Sequence, residues 1–260
     1  MIFRRPLTFQ GWAVPLFQAA KSLIAHAERI VVLTGAGISA ESGVPTFRDE
    51  GGLWRSYRAE DLATPEAFAR DPRMLWEWYG WRRGVVSRCA PNAAHIALAR
   101  AADKGNMSIA TQNVDGLHAA ASTPERALVE LHGSLFRIRC TTCEWRAVDR
   151  SSVDASSDDT LPRCTTCGAL ARPDVVWFGE ALDPTHLERA FLEAATADVC
   201  LVIGTSGVVQ PAASLVSITQ LAGGAVIEVN PVETPITAIA TVSIRGTAVD
   251  AVPRLLEKAG

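Results

Sequence analysis

Short apolar runs recur along the chain, and each one ends in glycine, asparagine or a small polar residue. Apolar runs of this length, without alternating polar positions, are typical of strands buried on both faces, which predicts a parallel sheet. The pattern predicts six such strands, at residues 30–34, 108–111, 127–131, 199–203, 225–229 and 241–244.

Helical patterns separate most of these strands. They lie at residues 17–29, 93–102, 185–197, 211–221 and 249–258. Because strand and helix alternate, we predict an α/β fold with a doubly wound, Rossmann-like parallel sheet. Ligands of such sheets bind beyond the carboxyl ends of the strands, and the polar residues of this chain cluster at those ends.

Two stretches interrupt the alternation, and together they predict a smaller inserted module that combines helices with a zinc ribbon. Residues 45–92 are rich in tryptophan, arginine and proline, and residues 137–180 contain four cysteines and a Ser/Asp-rich loop. We interpret 1–260 as one catalytic domain. Its Rossmann-like core is assigned to residues 17–44, 93–136 and 181–260.

Four of the six cysteines form two close pairs, Cys140-x-x-Cys143 and Cys164-x-x-Cys167, with 20 residues between the pairs. Each short turn presents two thiolates, and four thiolates complete a tetrahedral zinc site that leaves no open position for catalysis. Two disulfides or a redox dithiol are the alternatives. The double motif, in a chain without a secretion signal, favours one structural Zn²⁺ ion.

The charge and hydropathy of the chain exclude some classes of partner. The net charge is −3, and basic residues are not concentrated around the cysteine pairs, so we expect no direct nucleic-acid binding. No apolar run approaches the roughly 20 residues that cross a bilayer, so we expect no membrane association. The first arginines are followed by neither an apolar signal region nor a small-residue cleavage site, which predicts a cytoplasmic protein.

A glycine-rich loop, Gly35-Ala36-Gly37, follows the first predicted strand and is predicted to open a helix. Glycines let a backbone approach a pyrophosphate, and a helix N-terminus favours its charge. The dinucleotide fingerprint is incomplete, because Ala40 occupies the position of the third glycine and the next glycine is Gly43. Taken alone, the loop is equally consistent with dinucleotide binding and with an ordinary tight turn.

Further motifs follow this loop in a fixed order. They are Gly43-Val44-Pro45-Thr46-Phe47-Arg48, Thr111-Gln112-Asn113-Val114-Asp115-Gly116-Leu117-His118, His132-Gly133-Ser134, Pro173-Asp174-Val175-Val176-Trp177-Phe178-Gly179-Glu180, Gly204-Thr205-Ser206 and Val229-Asn230-Pro231. Together with the glycine loop and the cysteine spacing, these motifs resemble the sirtuin family of NAD-dependent protein deacylases. The resemblance covers nearly the whole chain, from Ile30 to about Val249.

The resemblance implies a role for individual residues. NAD, a co-substrate that the reaction consumes, would be bound by Gly35, Ala36, Gly37, Phe47, Arg48, Gln112, Asn113, Asp115, Gly204, Thr205, Ser206, Asn230 and Ala248. The catalytic residues would be His132, Asn113 and Asp115. An acyl-lysine protein or peptide would lie as an added strand between residues 207–209 and a segment that contains Val175, Trp177, Phe178 and Gly179.

The reaction that the resemblance implies begins when the carbonyl oxygen of an acyl-lysine attacks the ribose carbon that bears nicotinamide. Asn113 and Asp115 would hold the nicotinamide carboxamide. His132 would then take a proton from a ribose hydroxyl, a step that suits a side chain whose unperturbed pKa lies near neutrality. Water would complete the release, and the products would be nicotinamide, lysine and O-acyl-ADP-ribose. Without the resemblance, a capping or core histidine is the favoured interpretation of His132.

One helix, predicted around residues 76–83, bears on the choice of acyl group. Tyr79 and Arg82 are three residues apart and project on one side of that helix. Their spacing resembles the Tyr-x-x-Arg pair of class III sirtuins, which accept succinyl and malonyl groups, and Thr46 also resembles that class. The resemblance therefore implies removal of acetyl groups, of succinyl and malonyl groups, or of both. Arginine can bind a carboxylate through two parallel hydrogen bonds. The alternatives are Arg83 as the carboxylate ligand, or a tryptophan-rich core helix with solvated arginines.

Three other functions compete with deacylation. Mono-ADP-ribosyl transfer would use NAD and the same pocket with a different nucleophile. A non-catalytic NAD-binding regulator or zinc-ribbon interaction module is disfavoured by the set of Asn113, Asp115 and His132. A hydride-transferring dehydrogenase is weaker still, because no acidic residue for the ribose lies about 20 residues beyond the glycine loop.

Overall fold

A sheet of six parallel strands forms the centre of the computed structural model, which describes residues 14–45 and 57–257. In chain order the strands are β1 (Ile30–Thr34), β2 (Met107–Thr111), β3 (Leu128–Glu130), β4 (Gly133–Cys140), β5 (Arg146–Val148), β6 (Ala171–Val175), β7 (Val199–Ile203), β8 (Ala225–Asn230) and β9 (Val242–Arg245). The α-helices are α1 (Val14–His26), α2 (Ala59–Leu62), α3 (Pro65–Arg70), α4 (Pro72–Val86), α5 (Ala93–Ala102), α6 (Leu117–Ala120), α7 (Pro184–Thr196), α8 (Ser214–Leu221) and α9 (Ala248–Leu256).

The large sheet has the strand order β3-β2-β1-β7-β8-β9, and each neighbouring pair is parallel. Numbered along the chain within this sheet alone, the order is 3-2-1-4-5-6, which is that of the Rossmann fold. The predicted fold class is therefore confirmed. The strand order reverses between β1 and β7, and ligands of such sheets bind at this switch point.

The predicted strands all belong to the large sheet. β1 and β7 match their predictions residue for residue. β2 and β8 differ by one residue at one end, and β3 and β9 differ by one residue at each end. All five residues of β1 and of β7 are buried, so the apolar run ends where the strand ends.

The helix boundaries agree less closely with the sequence. The first helix ends at His26 rather than 29, because the backbone amides of Glu28 and Arg29 donate to the Asp198 carboxylate instead of continuing the helix. Helix α8 begins at Ser214 rather than 211, after a turn that contains Pro211. The predicted end of the last helix, Lys258, lies outside the described residues.

Both faces of the large sheet are covered by helices. Ile30 and Val32 of β1 pack in one hydrophobic cluster with α1, α5 and α9, and Val31 and Leu33 pack in another with α7 and α8. Successive side chains of a strand point to opposite faces, so an unbroken apolar run fits a sheet covered on both sides. None of the helices in the described part of the chain has the length and apolar character that a bilayer crossing requires.

A second sheet is antiparallel, with the strand order β5-β4-β6. A third hydrophobic cluster joins it to α3 and α4, and Trp76, Tyr79 and Leu135 are fully buried there. The residue limits of core and inserted module given above stay a prediction. The third cluster places α4 directly against β4 and β6, next to the ends of the large sheet.

Candidate active site

The two loops at the switch point are in direct contact. Gly35 N donates to the Ile203 carbonyl at 3.0 Å, and Gly37 N donates to the Gly204 carbonyl at 2.8 Å. A Cβ atom at Gly35 would lie 2.7 Å from Thr205 Cα, and a Cβ at Gly37 would lie 2.7 Å from Gly204 Cα. Both glycines are therefore required by the packing of one loop on the other, whatever the loops bind.

The prediction that the glycine loop opens a helix was wrong. The chain instead forms two 3₁₀ turns, Ala36–Ile38 and Ala40–Ser42. Gly43 ends the second turn with φ of 87°, a left-handed conformation that side chains disfavour. The glycine and proline that follow the turn prevent a regular helix from continuing here.

An amide and a carboxylate, both buried, lie beyond the end of β2. The Asn113 amide donates to the Gly35 carbonyl at 3.1 Å, which ties it to the glycine loop. Asp115 Oδ2 accepts a 2.8 Å hydrogen bond from Ser39 Oγ, and Oδ1 accepts one from Leu117 N. Burial raises the pKa of Asp115, and these hydrogen bonds and the nearby Arg82 act against that rise. An amide beside a carboxylate is a donor and acceptor set that fits a carboxamide.

His132 follows β3 and faces the same end of the sheet. Its Nδ1 atom lies 3.0 Å from the Gln112 carbonyl oxygen. Because a carbonyl only accepts, this contact places the proton of the neutral imidazole on Nδ1 and leaves Nε2 as the basic nitrogen. Burial lowers the pKa of His132, and the bond to Gln112 partly opposes that effect, so the neutral form is favoured at pH 7.

Thr205, which follows β7, is hydrogen-bonded to residues at the ends of β2 and β8. Its hydroxyl accepts from Gln112 Nε2 at 2.9 Å, and its carbonyl accepts from Asn230 Nδ2 at 2.8 Å. Ser206 is half-buried beside it, and Ala248 is buried in the first turn of α9. The ends of β2, β7 and β8 are thus held together at one place. Three residues of the predicted site motifs, Thr46, Phe47 and Arg48, lie outside the described residues.

Two buried histidines lie behind the site, and sequence reasoning assigned neither of them a step. The rings of His95 and His118 meet edge to face, with centroids 4.9 Å apart. His118 Nε2 is 3.0 Å from Thr34 Oγ1, and His95 Nε2 is 3.4 Å from Ser39 Oγ. Burial lowers the pKa of His95 to about 4 and that of His118 to about 3.

These two histidines make the fold sensitive to acid. In the unfolded chain they bind protons near pH 6.5, whereas in the folded protein they stay neutral to about pH 4. Stability is therefore present above pH 6.5 and is lost as the pH falls, by about 1.4 kcal/mol per pH unit and histidine. Urea unfolding between pH 7 and 5 should reveal this slope. His118→Gln should flatten it, exposed His26→Gln should not, and an unchanged slope in His118→Gln would contradict the assignment.

The residues predicted to select the acyl group lie together on α4. Tyr79 is fully buried, and the half-buried Arg82 guanidinium lies 5.9 Å from the Tyr79 ring centroid and 5.1 Å from that of Trp78. Arg83 points the other way, since Nε donates to the Leu135 carbonyl and Nη1 to Asp149.

The predicted peptide edge begins at the end of β6. Val175 and Trp177 are buried there, whereas Phe178 is 52% exposed and Gly179 is exposed beside it. Phe178 N donates to the Ala63 carbonyl, which anchors the segment to the chain just before α3. An exposed phenylalanine held by an anchored backbone is suited to contact a ligand.

The four cysteines form one cluster, in which all four Sγ atoms lie within 4.8 Å of one another. Cys140 and Cys167 Sγ are 3.4 Å apart, and Cys143 and Cys164 Sγ are 3.6 Å apart. A disulfide bond is about 2.05 Å long, whereas tetrahedral Zn–S bonds of about 2.3 Å require S···S separations near 3.8 Å. The cysteines are therefore positioned to bind a zinc ion, as predicted.

Sequence reasoning gave no role to three charged or polar side chains near the site. Ser39 bridges Asp115 and Asn113. Buried Arg172 and half-buried Glu180 form an ion pair at the peptide edge, where Glu180 also accepts from Trp177 N. Ser39 and Glu180 stood inside the recognised motifs, but their partners are distant along the chain. Arg172 lies in β6, whose sequence Ala-Arg-Pro-Asp-Val has no continuous apolar run, so no local signal pointed to it.

A Rossmann-like sheet with these groups at its switch point, and a four-cysteine cluster beside it, defines an α/β enzyme fold with a dinucleotide site and a zinc module. The model of the Sir2 family matches residues 35–211. The chain belongs to the Sir2 family, which is the sirtuin family that the motifs resemble.

Relatives and solved structures agree with this assignment. An "NAD-dependent protein deacylase" of Thermococcus kodakarensis is 51% identical over 243 residues, which cover 92% of this chain and 94% of the relative. A Sir2 homologue solved in complex with NAD has a TM-score of 0.87 and 48% identity, with 92% of each chain covered. A Sir2 protein solved with a p53 peptide and NAD⁺ has a TM-score of 0.80 and 32% identity, with 90% of this chain and 95% of that chain covered.

Proposed function

We propose that this chain removes acyl groups that end in a carboxylate, such as succinyl and malonyl, from protein lysines and transfers them to ADP-ribose. Family membership and the relatives' names make it an NAD-dependent protein deacylase. The acyl class, the products and the roles of individual residues are our proposal. The convergence of Asn113, Asp115 and His132 at the carboxyl ends of β2 and β3 supports the deacylase chemistry. The observation that supports the acyl class is Arg82, which lies beside Tyr79 on α4.

The site residues fit NAD by the chemistry of their groups. When bound, NAD supplies an ADP-ribosyl group whose bond to nicotinamide is broken in the reaction. Asn113 and Asp115 would hold the carboxamide of the departing nicotinamide, and Thr205 and Asn230 would line the adenosine side. These side chains are buried and hydrogen-bonded to neighbouring loops, so they are held in place before the ligand arrives.

His132 would act as the general base. Its Nδ1 proton is directed to the Gln112 carbonyl, so Nε2 is available to accept a proton from a ribose hydroxyl. That hydroxyl would attack the acyl carbon, and one water molecule would complete the release, so that the products would be nicotinamide, free lysine and O-acyl-ADP-ribose. The lowered pKa of His132 keeps the base in its neutral form near pH 7.

An acyl-lysine peptide would bind as an added strand between residues 175–179 and 207–209. Three apolar side chains in these segments are exposed, namely Phe178, Val208 and Val209. Exposed apolar residues on two facing segments are suited to cover an extended peptide, whose backbone would pair with the segment edges. A Sir2 neighbour solved with a p53 peptide supports this partner class.

The carboxylate of the acyl group would be bound by Arg82, with the Tyr79 hydroxyl as a second donor. Arg82 is half-buried, and it is close enough to Asp115 for the two side chains to affect each other's pKa. An arginine in this position carries its charge at all relevant pH values, and a carboxylate offsets the cost of desolvating it. Arg83 is already engaged with Asp149, so we do not assign it this role.

Replacing Arg82 with methionine tests the acyl class. We expect kcat/KM for a succinyl-lysine peptide to fall roughly a hundredfold, because removal of one partner of a desolvated charge pair costs about 2–5 kcal/mol. For the acetyl-lysine peptide of the same sequence, kcat/KM should change less than about threefold, since this peptide offers no carboxylate to Arg82. NAD-dependent nicotinamide release on the two matched peptides is the measurement.

Arg88→Met is the matched control, because Arg88 is exposed just beyond the end of α4. It should leave both peptides unchanged. A wild-type preference for acetyl-lysine, with Arg82→Met unaffected, would show a general deacetylase in which α4 serves only packing. If a protein without an acyl group triggers nicotinamide release and becomes ADP-ribosylated, the result would instead favour mono-ADP-ribosyl transfer.

A further inference from the structure

A buried hydrogen bond connects the peptide edge with the proposed acyl pocket. Trp177 Nε1 lies 2.8 Å from the Tyr79 hydroxyl oxygen, and both residues are at most 2% exposed. Indole nitrogen can only donate, so the direction of this bond is fixed: Trp177 donates and the Tyr79 oxygen accepts. The two residues are 98 positions apart, and the bond joins α4 to the segment that follows β6.

This direction leaves the Tyr79 proton available. The hydroxyl has one proton to donate, and among residues 14–45 and 57–257 no other group forms a hydrogen bond with it. A buried hydroxyl proton without an acceptor is unfavourable unless a ligand supplies one. Because Trp177 occupies one lone pair of the oxygen, the O–H bond is turned away from the indole.

Trp177 is itself held both at its ring and at its backbone. The Arg172 guanidinium stacks on its ring at 3.2 Å from the centroid. Glu180 accepts from the backbone amide of Trp177 at 2.8 Å and from Arg172 at 2.5 and 2.8 Å. These contacts fix the ring plane, and with it the direction of the Nε1–H bond.

We propose that Trp177 is a positioning residue for acyl selectivity, because its indole N–H orients the Tyr79 hydroxyl to donate to the carboxylate of the acyl group. The inference rests on the proposed function, since it requires an acidic acyl group. Trp177 acts through Tyr79 and does not itself touch the carboxylate. Arg172 and Glu180 hold the indole in the required plane.

A double-mutant cycle separates this role from simple packing. Trp177→Phe keeps an aromatic ring over Arg172 and removes the N–H, whereas Tyr79→Phe removes the hydroxyl. We expect Trp177→Phe to lower kcat/KM for the succinyl-lysine peptide roughly fivefold, mainly through KM. The loss on the succinyl-lysine peptide should exceed that on the acetyl-lysine peptide by about threefold or more, because any effect of Trp177 on binding of the peptide itself is common to both. In a Tyr79→Phe background, Trp177→Phe should have no further effect on the succinyl peptide.

The bond itself is read without any substrate. Among the seven tryptophans in ¹⁵N-tryptophan-labelled protein, the Nε1–H resonance missing from Trp177→Phe belongs to Trp177. This resonance should shift in Tyr79→Phe, because its acceptor is gone. Exposed Trp81→Phe is the control, and it should change neither the Trp177 resonance nor the ratio of succinyl to acetyl activity.

The outcomes distinguish the inference from the proposed function. If the wild-type enzyme does not prefer succinyl-lysine, the proposed acidic acyl class is wrong, and so is the role of Trp177 in selecting it. A succinyl preference that Trp177→Phe leaves intact would overturn the inference alone. Equal losses on both peptides, or an additive effect in the Tyr79→Phe background, would reduce Trp177 to a packing residue.

Discussion

Replacement of His132 by alanine is expected to lower the rate of deacylation by about 10²–10⁴-fold, the usual contribution of a positioned general base. In the proposed order of steps, His132 acts after the bond to nicotinamide is broken. Exchange of labelled nicotinamide into NAD, in the presence of acyl peptide, should therefore survive in His132→Ala. A variant that lost both activities to the same extent would point to a damaged fold or NAD site instead.

The pH dependence supplies a second test of the same residue. Only neutral imidazole accepts a proton, so kcat/KM should decrease as the pH falls through the pKa of His132. Burial places that pKa below 6.5, and activity should therefore be independent of this group at pH 7 and above. His26→Ala is the control, because His26 is exposed at the end of α1. Retained deacylation in His132→Ala would show that His132 is not the general base.

The strands were predictable because a strand that is buried on both faces has a continuous run of apolar residues in the sequence. Every position of β1 and β7 is buried, and the apolar runs in the sequence end at the same residues as the strands. The cysteine cluster was predictable for a similar reason, since two local turns each contribute two ligands at fixed spacing. In both cases the information lies within a few neighbouring residues.

The structure departs from the sequence predictions where distant segments meet. The glycine loop forms 3₁₀ turns, because Gly35 and Gly37 serve the close approach of the loop at Gly204. The hydrogen bond between Trp177 and Tyr79 joins residues 98 positions apart, so no local sequence pattern predicts it. His95 falls in a predicted helix, and only its packing against His118 shows that it is deeply buried.

Loss of the zinc ion is expected to have the second large effect, on stability and then on activity. Residues 141–145, the turn that contains Cys143, are exposed or half-buried, so little apolar burial holds this turn. The cluster joins it to the turn before β6, and β6 leads directly to the proposed peptide edge. Structural zinc contributes folding free energy outright, which makes the small sheet dependent on the metal.

Cys143→Ser should bind no zinc, compared with one ion per wild-type chain. We expect the apparent Tm to fall on the order of 10 °C, because a loss of several kcal/mol shifts a chain of this size by about 2–4 °C for each kcal/mol. Metal content and thermal unfolding are the measurements. Cys89→Ser is the matched control, since Cys89 is half-buried outside the cluster and should keep both the zinc and the Tm. A zinc-free Cys143→Ser protein with wild-type stability and activity would refute the structural role, because the peptide edge would then be held without the metal.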